Sequence, residues 1–433
     1  MVNSAIFHAR HQLNAIIASS IYSDPTSDMV VVGVTGTDGK TTTVNLIHHV
    51  LTQLWHRVVV ISTTGVKIWN QIYPNQTKMS SPSPYVLNKI LSDAKKAGCS
   101  HAIIETTSHG LHQHRFHGIK YTAGVLTNIT AEHLDYHKTI DEYAATKKIL
   151  FTTVATQASK NKVGILNKDD EYGRKWWAEI TFDKMFDYAI AMNATFKWEN
   201  VEEFMDKTTF ECKYLGKNYP ITTQLVGRFN VYNILACISC CTALWYDVVD
   251  IVATIPSFAS VAGRQHMVNH DDRTYVIDFA HTPNALEQML WFIRRVNPSK
   301  RVITLFGAPG RRDKFKRPQM WYIIEQLSSV VILTEDDSMD ESTAGIIWDV
   351  AKGITKQEWD NYYIIPERDM AIRFAYHISQ PWDIIVLAGK GHETQLYTNF
   401  GKRKFNEYDY LMAVINNTHE QYHLDNPLEP SNH

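Results

Sequence analysis

No stretch of this 433-residue chain holds the roughly 18 apolar residues that cross a bilayer. Its start also lacks the charged-then-apolar pattern of a secretory leader, so a cytoplasmic protein without a membrane partner is expected. An excess of either charge is missing too: the formal net charge is −2, without the basic surplus that binding a nucleic-acid backbone requires. Cysteine is sparse. Of Cys99, Cys212, Cys237, Cys240 and Cys241, three fall in one helical-looking segment, and no second Cys/His pair stands at ligand spacing. Packing is therefore expected of them rather than zinc or redox chemistry. Histidine is plentiful, and outside the motifs below it is expected on the surface. The length exceeds what one core usually organises, so two or three domains are expected.

What is present begins at Gly33-Val-Thr-Gly36-Thr37-Asp38-Gly39-Lys40-Thr41-Thr42-Thr43. An apolar strand pattern, Met29 to Val32, precedes it, and a helical pattern with Val44, Ile47, Leu51 and Leu54 on one face follows. Strand, glycine loop and helix form a phosphate cradle. Glycine lets backbone N–H groups approach an anion, and the helix N-terminus favours negative charge. Lys40 would reach the outer phosphates and the Thr41 hydroxyl would hold Mg²⁺. The spacing departs from G-x4-G-K-[ST], because Val34 occupies the place of the first glycine and Gly33 comes one residue early.

Before this loop, residues 1–28 carry one short helical pattern and a turn at Ser23-Asp24-Pro25. After it, strands are expected at Val58–Ile61, His101–Glu105, Ala123–Thr127, Val163–Leu166 and Thr208–Tyr214, with helices near 85–97, 141–153 and 227–246. Glu105 ends a strand, and in an open parallel sheet ligands collect at the carboxyl ends of strands, so it would face the phosphates and their metal. Six histidines lie between 109 and 137. Their irregular spacing and the absence of cysteine argue against zinc. The small, non-periodic segment Pro256–Gly263 reads as a boundary, dividing an ATP-binding domain at 29–258 from a second domain at 259–433. Beyond it, βα units recur, with strands near Tyr275–Asp278, Val302–Phe306, Val330–Thr334, Tyr363–Ile365 and Ile384–Ala388. The fold class is thus α/β: a phosphate-loop domain with a parallel sheet, then a Rossmann-like α/β domain.

Eight ordered motifs across residues 29–415 resemble the Mur ligase family, and within it the MurE branch. They are T-G-T-D-G-K-T-T-T at 35–43, E-T-T-S-H-G-L-H-Q-H-R at 105–115, T-N-I-T-A-E-H-L-D-Y-H at 127–137 and Y-A-A-T-K at 143–147. Then come G-R-F-N-V-Y-N at 227–233, D-F-A-H-T-P at 278–283, R-D-K-F-K-R-P at 312–318 and G-K-G-H-E at 389–393. The resemblance implies peptidoglycan-precursor synthesis by ATP-driven joining of a carboxylate to an amine: the acid attacks the γ-phosphate, and the amine then attacks the acyl phosphate. It implies an ATP site at Gly36, Thr37, Asp38, Gly39, Lys40, Thr41 and Thr42, with Asn230, Asp278 and His281. It places one Mg²⁺ on Thr41 and Glu105 and a second with His133 and Lys147, the lysine carrying a CO₂-derived carbamate. Lys40, Glu105, His133 and Lys147 would be the catalytic set. Carbamylation needs a neutral amine, so a lowered lysine pKa is implied. Ser80, Ser81, Thr107, Gln113 and Arg115 would receive the acceptor, with Arg115 as a carboxylate clamp. Arg312, Asp336, Asp337, Met339, Gly389 and Glu393 match the pocket for the incoming amino acid.

Two departures from the family pattern carry consequences. Where the family pocket for meso-diaminopimelate reads D-N-P-R, this chain has Asp336-Asp337-Ser338-Met339. Losing a guanidinium and gaining a carboxylate favours a free distal ammonium, which predicts L-lysine, or a similar diamino acid such as ornithine, over diaminopimelate. The 32 residues before the loop are too few for the family's N-terminal uridine-diphosphate domain, so that grip on the acceptor is expected to be missing. The leading expectation is a monomer adding a diamino acid to UDP-N-acetylmuramoyl-L-alanyl-D-glutamate, with small-molecule partners only. The alternatives are another amide ligase on the same scaffold, folylpolyglutamate-synthase-like or polyamino-acid-forming, and a non-catalytic ATP-binding paralogue.

Overall fold

A computed structural model describes residues 2–74, 80–157, 161–353 and 361–430. The chain divides into two compact units, Met1–Ala259 and Ser260–His433.

The first unit opens with helix α1 (Val2–Ile21), longer than the short pattern expected because no proline or glycine interrupts it before Pro25. Strand β1 (Val30–Thr35) leads into α2 (Lys40–Gln53), followed by β2 (Val58–Ser62), β3 (Gly65–Ile68) and β4 (Gln71–Pro74). Next come α3 (Pro84–Lys96), β5 (His101–Glu105), α4 (Ser108–His112), β6 (Ala123–Leu126), α5 (Leu134–His137), α6 (Ile140–Thr156), β7 (Val163–Asn167) and α7 (Glu171–Glu179). The unit closes with β8 (Lys184–Ala189), β9 (Phe196–Glu203), β10 (Thr208–Tyr214), β11 (Lys217–Thr223), α8 (Arg228–Ala243) and α9 (Val248–Thr254).

All eleven strands form one sheet, in the order β11-β10-β9-β8-β7-β6-β1-β5-β2-β3-β4. From β9 to β2 neighbouring strands run parallel, and antiparallel pairs finish both edges. The central strands read as near-continuous Val/Ile runs because helices cover both faces. β1 lies between β5 and β6, with Val34 paired to Glu105 and Thr35 to Leu126, so three carboxyl ends open side by side. Gly33 lies in the strand, not in the cradle: a Cβ there would stand 2.7 Å from Leu150 Cδ1 and 2.8 Å from Tyr121 Cε1. Its early position therefore reflects how closely α6 and Tyr121 pack on the sheet.

The second unit contains β12 (His266–His270), β13 (Arg273–Asp278), α10 (Pro283–Val296), β14 (Val302–Phe306), α11 (Lys316–Leu327), β15 (Val330–Leu333) and α12 (Thr343–Ala351). It continues with β16 (Tyr362–Ile364), α13 (Arg368–Ile378), β17 (Ile384–Ala388), β18 (Gln395–Thr398), β19 (Gly401–Lys404), α14 (Glu407–Ile415), α15 (His419–Asp425) and β20 (Glu429–Pro430). Its main sheet runs β12-β13-β17-β14-β15-β16, parallel except for β12. A core of Tyr275, Ile277, Ile303, Leu305, Ile332, Ile385 and Leu387 lies under α13 and α14. Among the described residues, no helix is long and apolar enough to cross a membrane.

The five cysteines are all unbridged and buried. The histidines differ from expectation: of those whose exposure is described, only His117 and His377 are largely exposed, and His101 and His137 are buried. The reason is stacking, since rings such as His56, His101 and Tyr246 pack edge to face at one end of β5.

Candidate active site

At the end of β1, the phosphate loop is shaped by two left-handed glycines, Gly36 at φ +149° and Gly39 at φ +81°. A Cβ on Gly36 would lie 1.8 Å from Thr127 Oγ1, and one on Gly39 would lie 2.2 Å from Asn233 Oδ1. The loop is braced from β6. The Asp38 N–H donates to Asn128 Oδ1 at 2.9 Å, and Thr127 Oγ1 donates to the Asp38 carbonyl at 2.7 Å. The Thr37 hydroxyl receives the Thr130 N–H at 2.9 Å and the Tyr143 hydroxyl at 3.3 Å. Lys40 Nζ folds back onto the Thr37 carbonyl at 2.7 Å, and Thr42 is buried in the first turn of α2.

Opposite the loop, the Thr41 hydroxyl donates to Glu105 Oε2 at 3.0 Å. The same carboxylate takes the Thr63 N–H at 2.9 Å and the Thr63 hydroxyl at 3.0 Å. A buried carboxylate and a threonine hydroxyl are hard oxygen donors suited to Mg²⁺. Lys147, 1% exposed on α6, points its Nζ at the Gly36 carbonyl at 2.7 Å and stands 4.4 Å from the centre of the Tyr143 ring. Burial, and then the Lys40 charge, hold its amine well below the ordinary lysine range, despite opposition from Asp38, Glu105 and Glu132. His133 has φ +57°; its ring lies 4.7 Å from His109 and 6.2 Å from Tyr143. His137 is pulled down to about 4 by burial, then by His109, His112 and Lys147.

The residues expected to meet the acceptor form one chain of contacts. Ser80 Oγ accepts from Thr63 Oγ1 at 2.6 Å, and Ser81 Oγ lies 2.7 Å from Thr107 Oγ1, which caps α4. Arg115 donates to the Ser81 carbonyl at 2.6 Å and to Gln113 Oε1 at 2.6 and 3.0 Å. Asn230 spends its amide on the Val226 carbonyl at 2.9 Å and accepts from Asn233 at 3.0 Å. Asn233, one turn further along α8, is the residue that abuts Gly39. It ends the G-R-F-N-V-Y-N motif, and its i+3 spacing from Asn230 on a helix is the signal in the sequence.

In the second unit, the carboxyl ends of β13, β17, β14 and β15 lie in sequence across the sheet. Asp278 braces its own loop, accepting the N–H groups of Gln265 and Ala280, both at 2.7 Å. His281 contacts the Phe279 carbonyl through Nδ1 at 2.8 Å. Burial, with Lys316, Arg264 and Arg312, holds its imidazole well below the usual range, the Phe279 contact opposing. Arg264, missed from the sequence, lies 4.5 Å over the Phe279 ring.

Gly389, at φ +113°, donates its N–H to the Asp278 carbonyl at 3.0 Å. Beyond it, buried Lys390 reaches Asp337 Oδ1 at 2.8 Å and Asp336 Oδ1 at 3.7 Å, and pairs with Glu393. Burial opposes the Lys390 charge, but Glu393, Asp336 and Asp337 outweigh it and raise its pKa; burial also raises that of Asp336. Among the described residues, these three carboxylates are the one group close enough to share a metal ion, and the Lys390 ammonium contacts them all. The Asp337 carboxylate, expected to be available to substrate, also accepts the Tyr397 N–H at 2.9 Å. Met339 has φ +56°, and its N–H meets the Tyr397 carbonyl at 3.4 Å. Arg312 is exposed, linked to this unit's strand-end groups through its charge on His281 rather than to the carboxylate cluster.

A glycine turn, a lysine and a hydroxyl facing a buried strand-end carboxylate are the working parts of a phosphate-loop nucleotide enzyme. Residues 34–241 match the Mur ligase middle domain, and residues 263–391 match the domain described as Mur ligase, glutamate ligase domain. The chain belongs to the Mur ligase family, whose members are ATP-dependent amide ligases that use Mg²⁺. It is 35% identical over 397 residues to the UDP-N-acetylmuramoyl-L-alanyl-D-glutamate--2,6-diaminopimelate ligase of Haemophilus influenzae, covering 89% of this chain and 78% of that one. The ligase of the same name from Halalkalibacterium halodurans is 34% identical over 400 residues, covering 92% and 80%. A solved structure of such a ligase superposes with a TM-score of 0.63 at 29% identity, covering 94% of this chain and 82% of that one. The Mycobacterium tuberculosis folylpolyglutamate synthase shares the fold, with a TM-score of 0.72 at 14% identity over 87% of this chain and 92% of that one.

Proposed function

We propose that the chain joins UDP-N-acetylmuramoyl-L-alanyl-D-glutamate to the amine of L-lysine, or of a similar diamino acid such as ornithine, through an acyl phosphate made with ATP. The observation that carries the amino-acid choice is the charge around Lys390: three carboxylates, Asp336, Asp337 and Glu393, share one ammonium. Met339 adds no cation to them. A distal carboxylate, as in diaminopimelate, would meet uncompensated negative charge, whereas a distal ammonium would relieve it.

On the acid side, a carboxylate is already nucleophilic but is repelled by a triphosphate. Bound Mg²⁺ supplies the neutralising charge. Thr41 and Glu105 would hold one ion, and His133 with a carbamylated Lys147 a second. The Lys147 amine, whose charge burial and Lys40 disfavour, suits CO₂ addition, which would turn a cation into an anionic ligand. Lys40 would lie along the outer phosphates. The hydroxyls of Ser80, Ser81 and Thr107, with Gln113 and Arg115, would orient the peptide acid.

A phosphate-release assay tests this with the UDP-muramoyl dipeptide and a panel of lysine, ornithine and diaminopimelate. The expected result is at least about tenfold higher kcat/KM for lysine or ornithine, a difference of about 1.4 kcal/mol in transition-state binding. A preference for diaminopimelate would overturn the assignment.

A further inference from the structure

Behind the carboxylate cluster lies a charged pair that none of the motifs included. Arg368 begins α13 and Glu407 begins α14, and both side chains are 0% exposed. Glu407 Oε1 accepts from Arg368 Nε at 2.9 Å and from Nη2 at 2.5 Å. Two further donors of the guanidinium go to two carbonyls. Nη2 reaches Ala388 at 2.7 Å, immediately before Gly389, and Nη1 reaches Glu335 at 2.9 Å, immediately before Asp336. The other oxygen of Glu407 accepts the Gly391 N–H at 3.0 Å. The pair thus holds Gly389-Lys390 from both sides and ties that loop to the strand end that carries Asp336 and Asp337.

Ion pairs this deeply buried contribute little net stability, because desolvation offsets their attraction. What the pair does supply is geometry. Its other side-chain hydrogen bonds fall on the two loops whose side chains converge at Lys390. Gly389 and Gly391, at φ +113° and +49°, allow the loop backbone several conformations unless something selects one.

We propose that Arg368 and Glu407 are positioning residues for amino-acid selection, holding the loops at 335–339 and 388–393 in register so that Asp336, Asp337 and Glu393 present a fixed anionic pocket. The ligand's identity rests on the proposed function; the clamp itself does not.

The test uses the full chain carrying R368M and E407L together, which removes both charges without leaving one buried alone. Hydrogen exchange of the 388–393 amides is measured alongside KM for ATP and for whichever amino acid the parent enzyme uses. Expected are exchange at Gly391 faster by about tenfold or more and an amino-acid KM raised about tenfold, with the ATP KM within about twofold, since small misplacements of binding groups carry penalties of this size. R368K, which keeps one charge-assisted contact, is expected to fall between. Unchanged exchange in the folded double variant, or equal rises in both KM values, would overturn the proposal. E407Q supplies the same readouts if the double variant does not fold. A parent enzyme that prefers diaminopimelate would refute the lysine assignment, while these measurements would still decide the clamp.

Discussion

The Nζ of Lys147 lies 2.7 Å from the carbonyl oxygen of Gly36, although 111 residues separate them along the chain. This contact sets a helix lysine against the phosphate loop, where burial and Lys40 disfavour its charge. Replacing it by methionine or arginine is expected to lower ligase turnover by about 100-fold or more, the scale for losing one preorganised electrostatic group. ATP binding, measured by fluorescent-nucleotide displacement, should survive. Depleting CO₂ should slow the parent enzyme, and bicarbonate should restore it. Equal activity with and without bicarbonate would remove the carbamate from the mechanism.

The glycines of the loop region are expected to fail in different ways. Gly39→Ala places a Cβ 2.2 Å from Asn233 Oδ1 at a backbone φ of +81°. It should weaken ATP binding by about tenfold or more and cost about 1–3 kcal/mol of stability. Gly33→Ala meets Leu150 and Tyr121 side chains instead. It should lower the melting temperature while leaving the KM for ATP within about twofold. Calorimetry and steady-state kinetics on the two variants would separate these outcomes.

Met339 already occupies left-handed backbone space at φ +56°, so a straight-chain substitution there adds no new backbone strain. Met339→Arg introduces a cation two residues along the chain from Asp337. Diaminopimelate use is expected to rise about tenfold and lysine use to fall, the size of one charge-assisted contact. No gain in diaminopimelate use, read from the same phosphate-release panel, would count against the pocket assignment.

Glu335 is pushed up to about 7 by burial and by Asp369, against the Arg368 N–H, Arg403 and Arg368. Between its ordinary value of 4.5 and about 7, the folded state therefore holds a proton that the unfolded state has released. Stability falls as pH rises through that window. Glu335→Gln should flatten this slope, so that urea midpoints of parent and variant diverge between about pH 4.5 and 7 and hold a constant gap above it. Parallel pH profiles would show that Glu335 does not titrate in this range.

Much of this could be read without coordinates, because periodicity and strand-end chemistry are local. β10, β14 and β17 carry continuous or alternating apolar runs bounded by turns, and their expected limits coincide with the observed ones. The short pairs β3 with β4 and β18 with β19 were missed. Their four-residue strands, at or next to a sheet edge, are mixed in character, and pairing rather than propensity defines them. Asn233 and Arg264 were legible only as neighbours or members of motifs.

By itself, the order of residues determined the phosphate loop, the parallel α/β class and the family, since glycine, lysine and hydroxyl spacing act over a few residues. Only the tertiary structure decided that Lys390 is shared among three carboxylates and that Arg368 and Glu407 stand behind them. Apart from Lys390 with Glu393, three residues along, those contacts join residues 39 to 54 positions apart, through burial that removes competing water.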